Sequence, residues 1–375
     1  MGPREALRRL DWPLLLTAAA LMGLGLLFID SASFDAATGE SRDFAGSQLN
    51  GIAIAFGVLV LLIAVPYLKL ARFAPLLYVA ALGLLAATAV SGITKNAAKR
   101  WIQLGPVVLQ PSEFMKPVLV LTLAQLLRHR PDLRTFRGLL LPLALVALPA
   151  LLIASQPDLG TAILLFPGAL AILYSAGARR KPIVAFFALA LVAGGLLVAY
   201  GLKPYQRERL WTFLSPSTAD KDAAGYQVDI SKVMIGSGGF AGAGVYEGPL
   251  NTLGFMPERH SDFIVAVIGE EWGFLGCAFL ISLLALFTGL GYAVALRVRE
   301  PCGKLLAVGM TTAFSCQMIV NVAMVVGLLP NKGVPLPFVS HGRSSLLASA
   351  IGLALVLNVA LRRVPVIAVD DFEHR

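Results

Sequence analysis

Apolar runs of bilayer-crossing length recur along the whole chain, separated by short polar segments. They fall at 12–29, 48–65, 73–90, 112–127, 138–154, 161–176, 183–200, 263–296, 305–328 and 344–361. A helix needs roughly 20 apolar residues to cross the hydrocarbon core, so the pattern predicts an all-α integral membrane protein, a polytopic bundle of about ten transmembrane helices. The runs form a single domain over 1–375. The eighth is long enough to tilt or to project beyond the bilayer. Pro117, Pro142, Pro149 and Pro167 lie in or near runs, which membrane helices tolerate when neighbours re-satisfy the backbone. Arg4, Arg8 and Arg9 before the run from Trp12 to Ile29 resemble a signal peptide. The run exceeds the roughly 7–15 residues of a cleaved apolar core, so it reads as an uncleaved first span.

Composition narrows the class further. Apolar residues make up 57% of the chain and charged residues 14%, and the mean hydropathy is +0.77. Soluble domains carry about 25% charged residues. The formal net charge of +9 invites a nucleic-acid partner, but the cations punctuate the ends of apolar runs instead of forming one block with interleaved aromatics. That is the distribution of topology signals, and no nucleic-acid partner is expected. Short basic segments occur at the N-terminus, Lys69/Arg72, 128–137, Arg179/Arg180/Lys181, Arg297/Arg299/Lys304 and Arg362/Arg363. The positive-inside bias assigns them to the cytoplasm, with both termini inside. Residues 30–47, 91–111, 155–160, 330–343 and one large loop at about 201–262 then face outward. Within that loop the apolar pattern at Val228–Ile235 fits a short helix lying on the membrane. No internal repeat is evident between the two halves. Cys277, Cys302 and Cys316 are too few and too scattered for a disulfide framework and read as packing residues.

Candidate chemistry concentrates on the outward side. Lys95, Lys99 and Arg100, with Trp101, run against the positive-inside bias; they suit either a phosphate site or contact with anionic lipid headgroups. Ser112 is a candidate N-cap for the fourth span. Glu113 and Lys116 share one helix face, and an ionisable pair inside a span is a functional candidate, with a structural ion pair as the alternative. Asp158, in Gln156–Thr161, reads as a turn or cap residue. Arg207 and Arg209 flank Glu208, and Gly236-Ser237-Gly238-Gly239 is either a weak phosphate cradle or a turn. Asp262 stands where the long loop enters the eighth span, next to Glu258, Arg259 and His260. Lower dielectric there would raise its pKa towards that of a general base, and a helix cap is the alternative. Glu270, about 80° around an ideal helix and about 12 Å deeper, and Glu271 are either buried polar glue or lining of the same cavity. Three prolines in Leu329–Ser345 enforce a non-helical segment containing Ser340, and Ser344 or Ser345 can cap the tenth span.

Taken together, Gln110–Lys116, Gln156–Thr161, Tyr226-Gln227 with Gly236–Gly239, Pro257–Phe263 with Gly269-Glu270-Glu271, and Leu329–Ser345 resemble the SEDS (shape, elongation, division and sporulation) family of ten-span glycosyltransferases. Arg9–Trp12 and Phe255–Pro257 look more like the elongation branch (RodA) than the division branch (FtsW). The resemblance implies peptidoglycan synthesis in the bacterial cytoplasmic membrane. Lipid II would be joined to a lipid-linked glycan at the outer face, alongside a class B penicillin-binding protein, elongation-complex membrane proteins and membrane lipids. It places the family's essential aspartate on Asp262 and its membrane-cavity pair on Glu113 and Lys116. Asp262 would act as base or help to hold a divalent cation (Mg or Mn). Lys99, Arg100, Lys116, Arg207 and Arg209 would face the pyrophosphate, while Trp101, Glu258, His260 and Ser340 complete the substrate surface. The chain departs from the family pattern at Ala97, Asn331-Lys332, His341 and Arg343. A lipid II flippase and a non-catalytic scaffold are the competing functions.

Overall fold

A computed structural model describes residues 5, 8–35, 40–41, 43–95, 98–104, 107–129, 133, 135–156, 158–179, 223–331 and 333–362. Its helices in chain order are α1 (Trp12–Ser31), α2 (Phe44–Ala64), α3 (Tyr67–Arg72), α4 (Ala74–Ser91), α5 (Pro111–Leu127), α6 (Phe136–Ser155), α7 (Leu159–Ser175), α8 (Ala223–Ser237), α9 (Pro249–Thr252), α10 (Ile264–Arg297), α11 (Pro301–Val325) and α12 (Arg343–Leu361). Among the described residues, seven helices are long and apolar enough to cross a membrane: α1, α2, α4, α6, α10, α11 and α12. α5 and α7 have 17 residues each, about 26 Å of helix, which is near the lower limit for a span. These nine coincide with nine of the ten apolar runs. The seventh run, 183–200, lies outside the described residues.

Burial sorts the spans into an inner and an outer set. α12 is buried along nearly its whole length and packs on α2, α5 and α11. α2 and α4 are mostly uncovered, with Phe56, Leu61, Leu76 and Val79 exposed. Helices apolar on every side need a lipid or protein partner all round, which is why sequence periodicity cannot separate the two sets. α11 joins the centre by packing on α7, α10 and α5.

Helix ends follow local chemistry. Asp43 Oδ1 accepts the Gly46 N–H at 2.8 Å to start α2, and Glu300 Oε2 accepts the Gly303 N–H at 2.6 Å to start α11. At the basic end of the bundle, Asn358 is fully buried. Its amide donates to Leu62 O at 2.7 Å and Val65 O at 2.6 Å and accepts the Tyr67 N–H at 3.0 Å. Asn358 thus closes the α2–α3 break together with Arg362, whose Nη2 donates to Ile63 O at 2.9 Å. Lys69, Arg72, Arg128, Arg297, Lys304 and Arg362 all lie at helix ends on this side.

The connections differ from the expected loops. An antiparallel three-stranded sheet is formed by β3 (Ile93–Lys95), β4 (Ala98–Leu104) and β5 (Val107–Leu109), in the order β3-β4-β5. A two-stranded ribbon, β1 (Phe34–Asp35) with β2 (Glu40–Ser41), follows α1. The Val228–Ile235 pattern belongs to the longer α8, which packs on α10 and α11 and buries Ser231 and Met234 against them.

The eighth span is not one continuous helix, because α10 breaks at Gly273 (φ 61°, ψ −153°), a conformation restricted to glycine. The carbonyls of Glu270 and Glu271 accept N–H groups of Ala243 and Gly244, each at 3.0 Å. The N–H groups of Phe274 and Leu275 donate to Gly239 and Phe240 carbonyls at 2.9 and 3.2 Å. Gly238 serves close backbone packing: a Cβ there would collide with the Gly269 carbonyl. The N–H groups of Gly238 and Gly239 donate to Met234 O and Gly236 O, so this run is a turn and not a phosphate cradle.

Candidate active site

Opposite the basic end, the sheet, the N-termini of α5, α7, α10 and α12, and the segment 330–342 come together. α5 starts at Pro111 after Gln110, two residues earlier than a Ser112 cap would require. The Ser112 hydroxyl instead donates to Asp158 Oδ2 at 3.1 Å, joined there by Gln110 Nε2 at 2.9 Å. Asp158 Oδ1 caps α7 through the Thr161 N–H at 3.3 Å and faces Arg100 Nη1 of β4 at 3.6 Å. Asp158 is thus both the expected cap and the centre of a polar network holding β4, α5 and α7. Ser344 does not cap α12, which begins after Gly342 without a side-chain cap. Its Oγ accepts the Gln110 N–H at 3.0 Å, tying α12 to α5.

One turn further along α5 lies the expected pair. Lys116 Nζ meets Glu113 Oε2 at 2.9 Å, and both side chains are buried. Lys116 also donates to Gln317 Oε1 of α11 at 2.7 Å.

Asp262 sits in a run of turns ahead of α10. The position before the helix is Phe263, and no side chain caps it, so the capping alternative for Asp262 falls away. Because residues 258–263 are not helical, the ideal-helix placement of Glu270 relative to Asp262 does not hold either. Glu270 accepts N–H groups of Leu250 and Asn251 at 2.7 and 3.0 Å, and Glu271 bonds Ser31 and Asn251. Both acids are structural glue around α9.

The Asp262 carboxylate is half-buried and lies against Gly333 (φ +63°), where an added Cβ would stand 3.3 Å from Oδ2. Its pKa is pushed up to about 7, first by burial and then by the Glu258 charge; Arg100 opposes the shift, and Asp158 and Glu113 add to it. Burial penalises the charged carboxylate, and that places a base within the working range of neutral pH.

Neighbouring residues fix this turn. Arg259 is buried and donates to Ala32 O and Phe34 O, each at 2.9 Å. The His260 ring stacks on Phe44 with centroids 4.0 Å apart, and the His260 carbonyl accepts the His341 N–H at 3.0 Å. Glu258 is exposed and accepts the Ser261 hydroxyl at 3.0 Å. Ser340 is buried, its Oγ accepting the Leu336 N–H at 2.8 Å. Lys99 and Trp101 belong to β4, with Trp101 opposite Ile93 of β3. Arg207 and Arg209 lie outside the described residues. Gln317 and Asn321 join the site from α11 without any motif to mark them; two amides four residues apart in an apolar span are the signal they carry.

Among the described residues, no three His, Cys, Asp or Glu side chains converge into a metal cage. Asp158 is already occupied by four donors. Asp262 could supply one carboxylate ligand to an oxygen-preferring ion such as Mg or Mn, which takes few ligands from protein.

Fold and site together define a polytopic membrane protein with a half-buried carboxylate and a buried ion pair gathered at one end of the bundle. The family model described as "Cell cycle protein" (FtsW/RodA/SpoVE) matches residues 12–364, and the chain belongs to that family, the SEDS proteins. It is 34% identical over 354 residues to Peptidoglycan glycosyltransferase MrdB of Escherichia coli K12, covering 94% of each chain. It is 36% identical over 364 residues to Probable peptidoglycan glycosyltransferase FtsW of Alkalilimnicola ehrlichii, covering 94% of this chain and 90% of that one. Among solved structures, one titled for the coordination of polymerization and crosslinking by a peptidoglycan synthase complex superposes with a TM-score of 0.79 at 32% identity, covering 94% of this chain and 97% of that one. Thermus thermophilus Rod shape determining protein RodA gives 0.71 at 29% identity, with the same two coverages.

Proposed function

We propose that this chain is a peptidoglycan glycosyltransferase that polymerises lipid II during cell elongation, with Asp262 as its general base. The single observation that carries the chemistry is the Asp262 carboxylate, half-buried against Gly333 and uncommitted to any helix cap, where burial pushes its pKa up. In the reaction, an acceptor sugar hydroxyl gives its proton to Asp262 as its oxygen bonds the donor's anomeric carbon. The bond from that carbon to the pyrophosphate oxygen breaks, and the polyprenyl pyrophosphate leaves. Arg100 and Lys116, together with Lys99, Arg207 and Arg209, would offset the charge developing on the leaving group. Glu113 orients Lys116. As the alternative to acting as the base itself, Asp262 would help to hold a divalent cation such as Mg or Mn, which would supply charge neutralisation.

Orientation follows from charge: the end rich in Lys and Arg faces the cytoplasm, both termini included, and the Asp262 end faces outward. The elongation branch rests on Arg9–Trp12 and Phe255–Pro257, since relatives bearing both branch names have comparable identity. A class B penicillin-binding protein is the expected partner, supported by the synthase complex among the structural neighbours. Transport is disfavoured because the carbonyls freed at the Gly273 break are taken by Ala243 and Gly244 instead of facing a substrate path.

The test is to reconstitute the purified chain with its transpeptidase partner and lipid II. Glycan strands should lengthen with time. Lipid II crossing the bilayer without any polymer would select the flippase, and neither activity would select the scaffold.

A further inference from the structure

Between the ion pair and the base runs a connection built by two amides on one face of α11. Gln317 and Asn321 are four residues apart, both buried, and point to the same side of the helix. Gln317 uses both ends of its amide: Oε1 accepts Lys116 Nζ at 2.7 Å, and Nε2 donates to Pro335 O at 2.8 Å. Asn321 uses both of its amide protons, donating to Asp262 O at 3.0 Å and to Val334 O at 2.7 Å.

Residues 334 and 335 are adjacent, so the two amides hold one stretch of backbone from the same helix. That stretch adjoins Gly333, against which the Asp262 carboxylate lies. Segment 333–335 is thus fixed to α11 at two consecutive carbonyls. Asp262 is fixed to it through the same asparagine, and Lys116 through the glutamine one turn away.

The residue types are restricted. Position 317 needs an acceptor for an ammonium and a donor for a carbonyl, which an amide supplies and a carboxylate or ammonium does not. Position 321 needs two donors on one nitrogen aimed at two carbonyls. Asn321→Asp would turn acceptor lone pairs towards both, and Asn321→Leu would leave two buried carbonyls without donors.

We infer that Gln317 and Asn321 are positioning residues for glycosyl transfer, holding the base Asp262 and the cation Lys116 in register through segment 333–335. This rests on the reading of Asp262 as the base. Neither amide is required to touch substrate. A base displaced by an ångström loses rate while the binding surface survives, so the expected signature is a fall in turnover without a matching loss of affinity.

The test measures polymerisation of lipid II by the chain in complex with its transpeptidase, for Asn321→Asp, Asn321→Leu, Gln317→Glu and the reference Asp262→Asn. The amide variants should lose about tenfold or more in kcat with KM within about threefold. The pH at half-maximal rate should also move by about half a unit or more, because the carboxylate's surroundings change. Loss of folding alone would leave the pH profile of the surviving fraction unchanged. If the Asn321 variants cannot be purified, Gln317→Glu, which keeps an acceptor for Lys116 and replaces the donor to Pro335 with a carboxylate oxygen, carries the same expectation. Wild-type kcat and pH profile in the folded amide variants, with Asp262→Asn inactive, would overturn the inference alone. A fully active Asp262→Asn would overturn the reading beneath it as well.

Discussion

Removing the charge of Lys116 should separate stability from catalysis at the ion pair. Lys116 and Glu113 are 8% and 4% exposed, so neither charge has much water to fall back on. Lys116→Met leaves the Glu113 carboxylate buried without its cation. Breaking a buried pair in this way costs about 3–5 kcal/mol. The Gln317 acceptor also loses its donor, which adds about 1 kcal/mol. Adding Glu113→Gln to the same chain removes the stranded charge, and the double variant should regain at least about 2 kcal/mol relative to Lys116→Met. Turnover should behave differently. The double variant still lacks the cation facing the leaving group and should polymerise about tenfold to a hundredfold more slowly than wild type. Equilibrium denaturation in detergent and polymer assays on the same preparations read the two effects. A Lys116→Met variant as stable as wild type would show that no charge is stranded there. Full activity in the double variant would remove Lys116 from the mechanism.

Other expectations follow from individual contacts. The polymerisation rate should rise with pH through about 7, the pKa of Asp262; a flat profile between pH 6 and 8 would contradict this, since the ionised fraction changes from about a tenth to about nine-tenths there. Because the folded protein holds this proton to higher pH than the unfolded chain, this group's contribution to stability falls as pH rises from about 4 to about 7. Arg100→Gln should move the rising limb to higher pH, as the cation favouring the carboxylate is lost, and an unmoved limb would separate Arg100 from Asp262. Gly273→Ala places a Cβ 2.5 Å from Gly242 N in a glycine-only conformation, so yield and thermal midpoint should both drop; wild-type values would mean that the break is dispensable. Asn358→Leu removes four hydrogen bonds beside the α2–α3 break, that from Arg362 included, and should cost about 2.4 kcal/mol, at the roughly 0.6 kcal/mol apiece typical of membrane interiors. Unchanged stability would show that water replaces the amide.

Hydrophobic length made the spans legible before any coordinates. Nine runs became helices at nearly the expected positions, and the Glu113/Lys116 spacing correctly implied a pair. What stayed hidden depends on partners distant in sequence. Nothing local indicates that Glu270 and Glu271 bond α9 and Ser31, or that the glycine run exists to let α8 touch the α10 backbone. Ser112 and Ser344 look like caps because capping is the commonest local use of a serine near a helix start. Here each bonds across the bundle instead, with Asp158 and with Gln110. The 91–111 segment lacks a clear alternation of apolar and polar residues, so its sheet was read as a loop. Of the charges that set the Asp262 pKa only Glu258 is near it in sequence; Arg100 of β4, which lowers it, and Asp158 and Glu113, which add to the rise, come from distant parts of the chain.

The central claim is that the Asp262 carboxylate takes the acceptor proton. Its most direct test is the polymerisation rate of Asp262→Asn at saturating lipid II, in complex with the transpeptidase, beside a measurement of lipid II binding by the same preparation. The substitution keeps the side chain's size and removes only the base. The account predicts binding near the wild-type level and a rate lowered by about a hundredfold to ten-thousandfold. Glycan strands formed at the wild-type rate would contradict it.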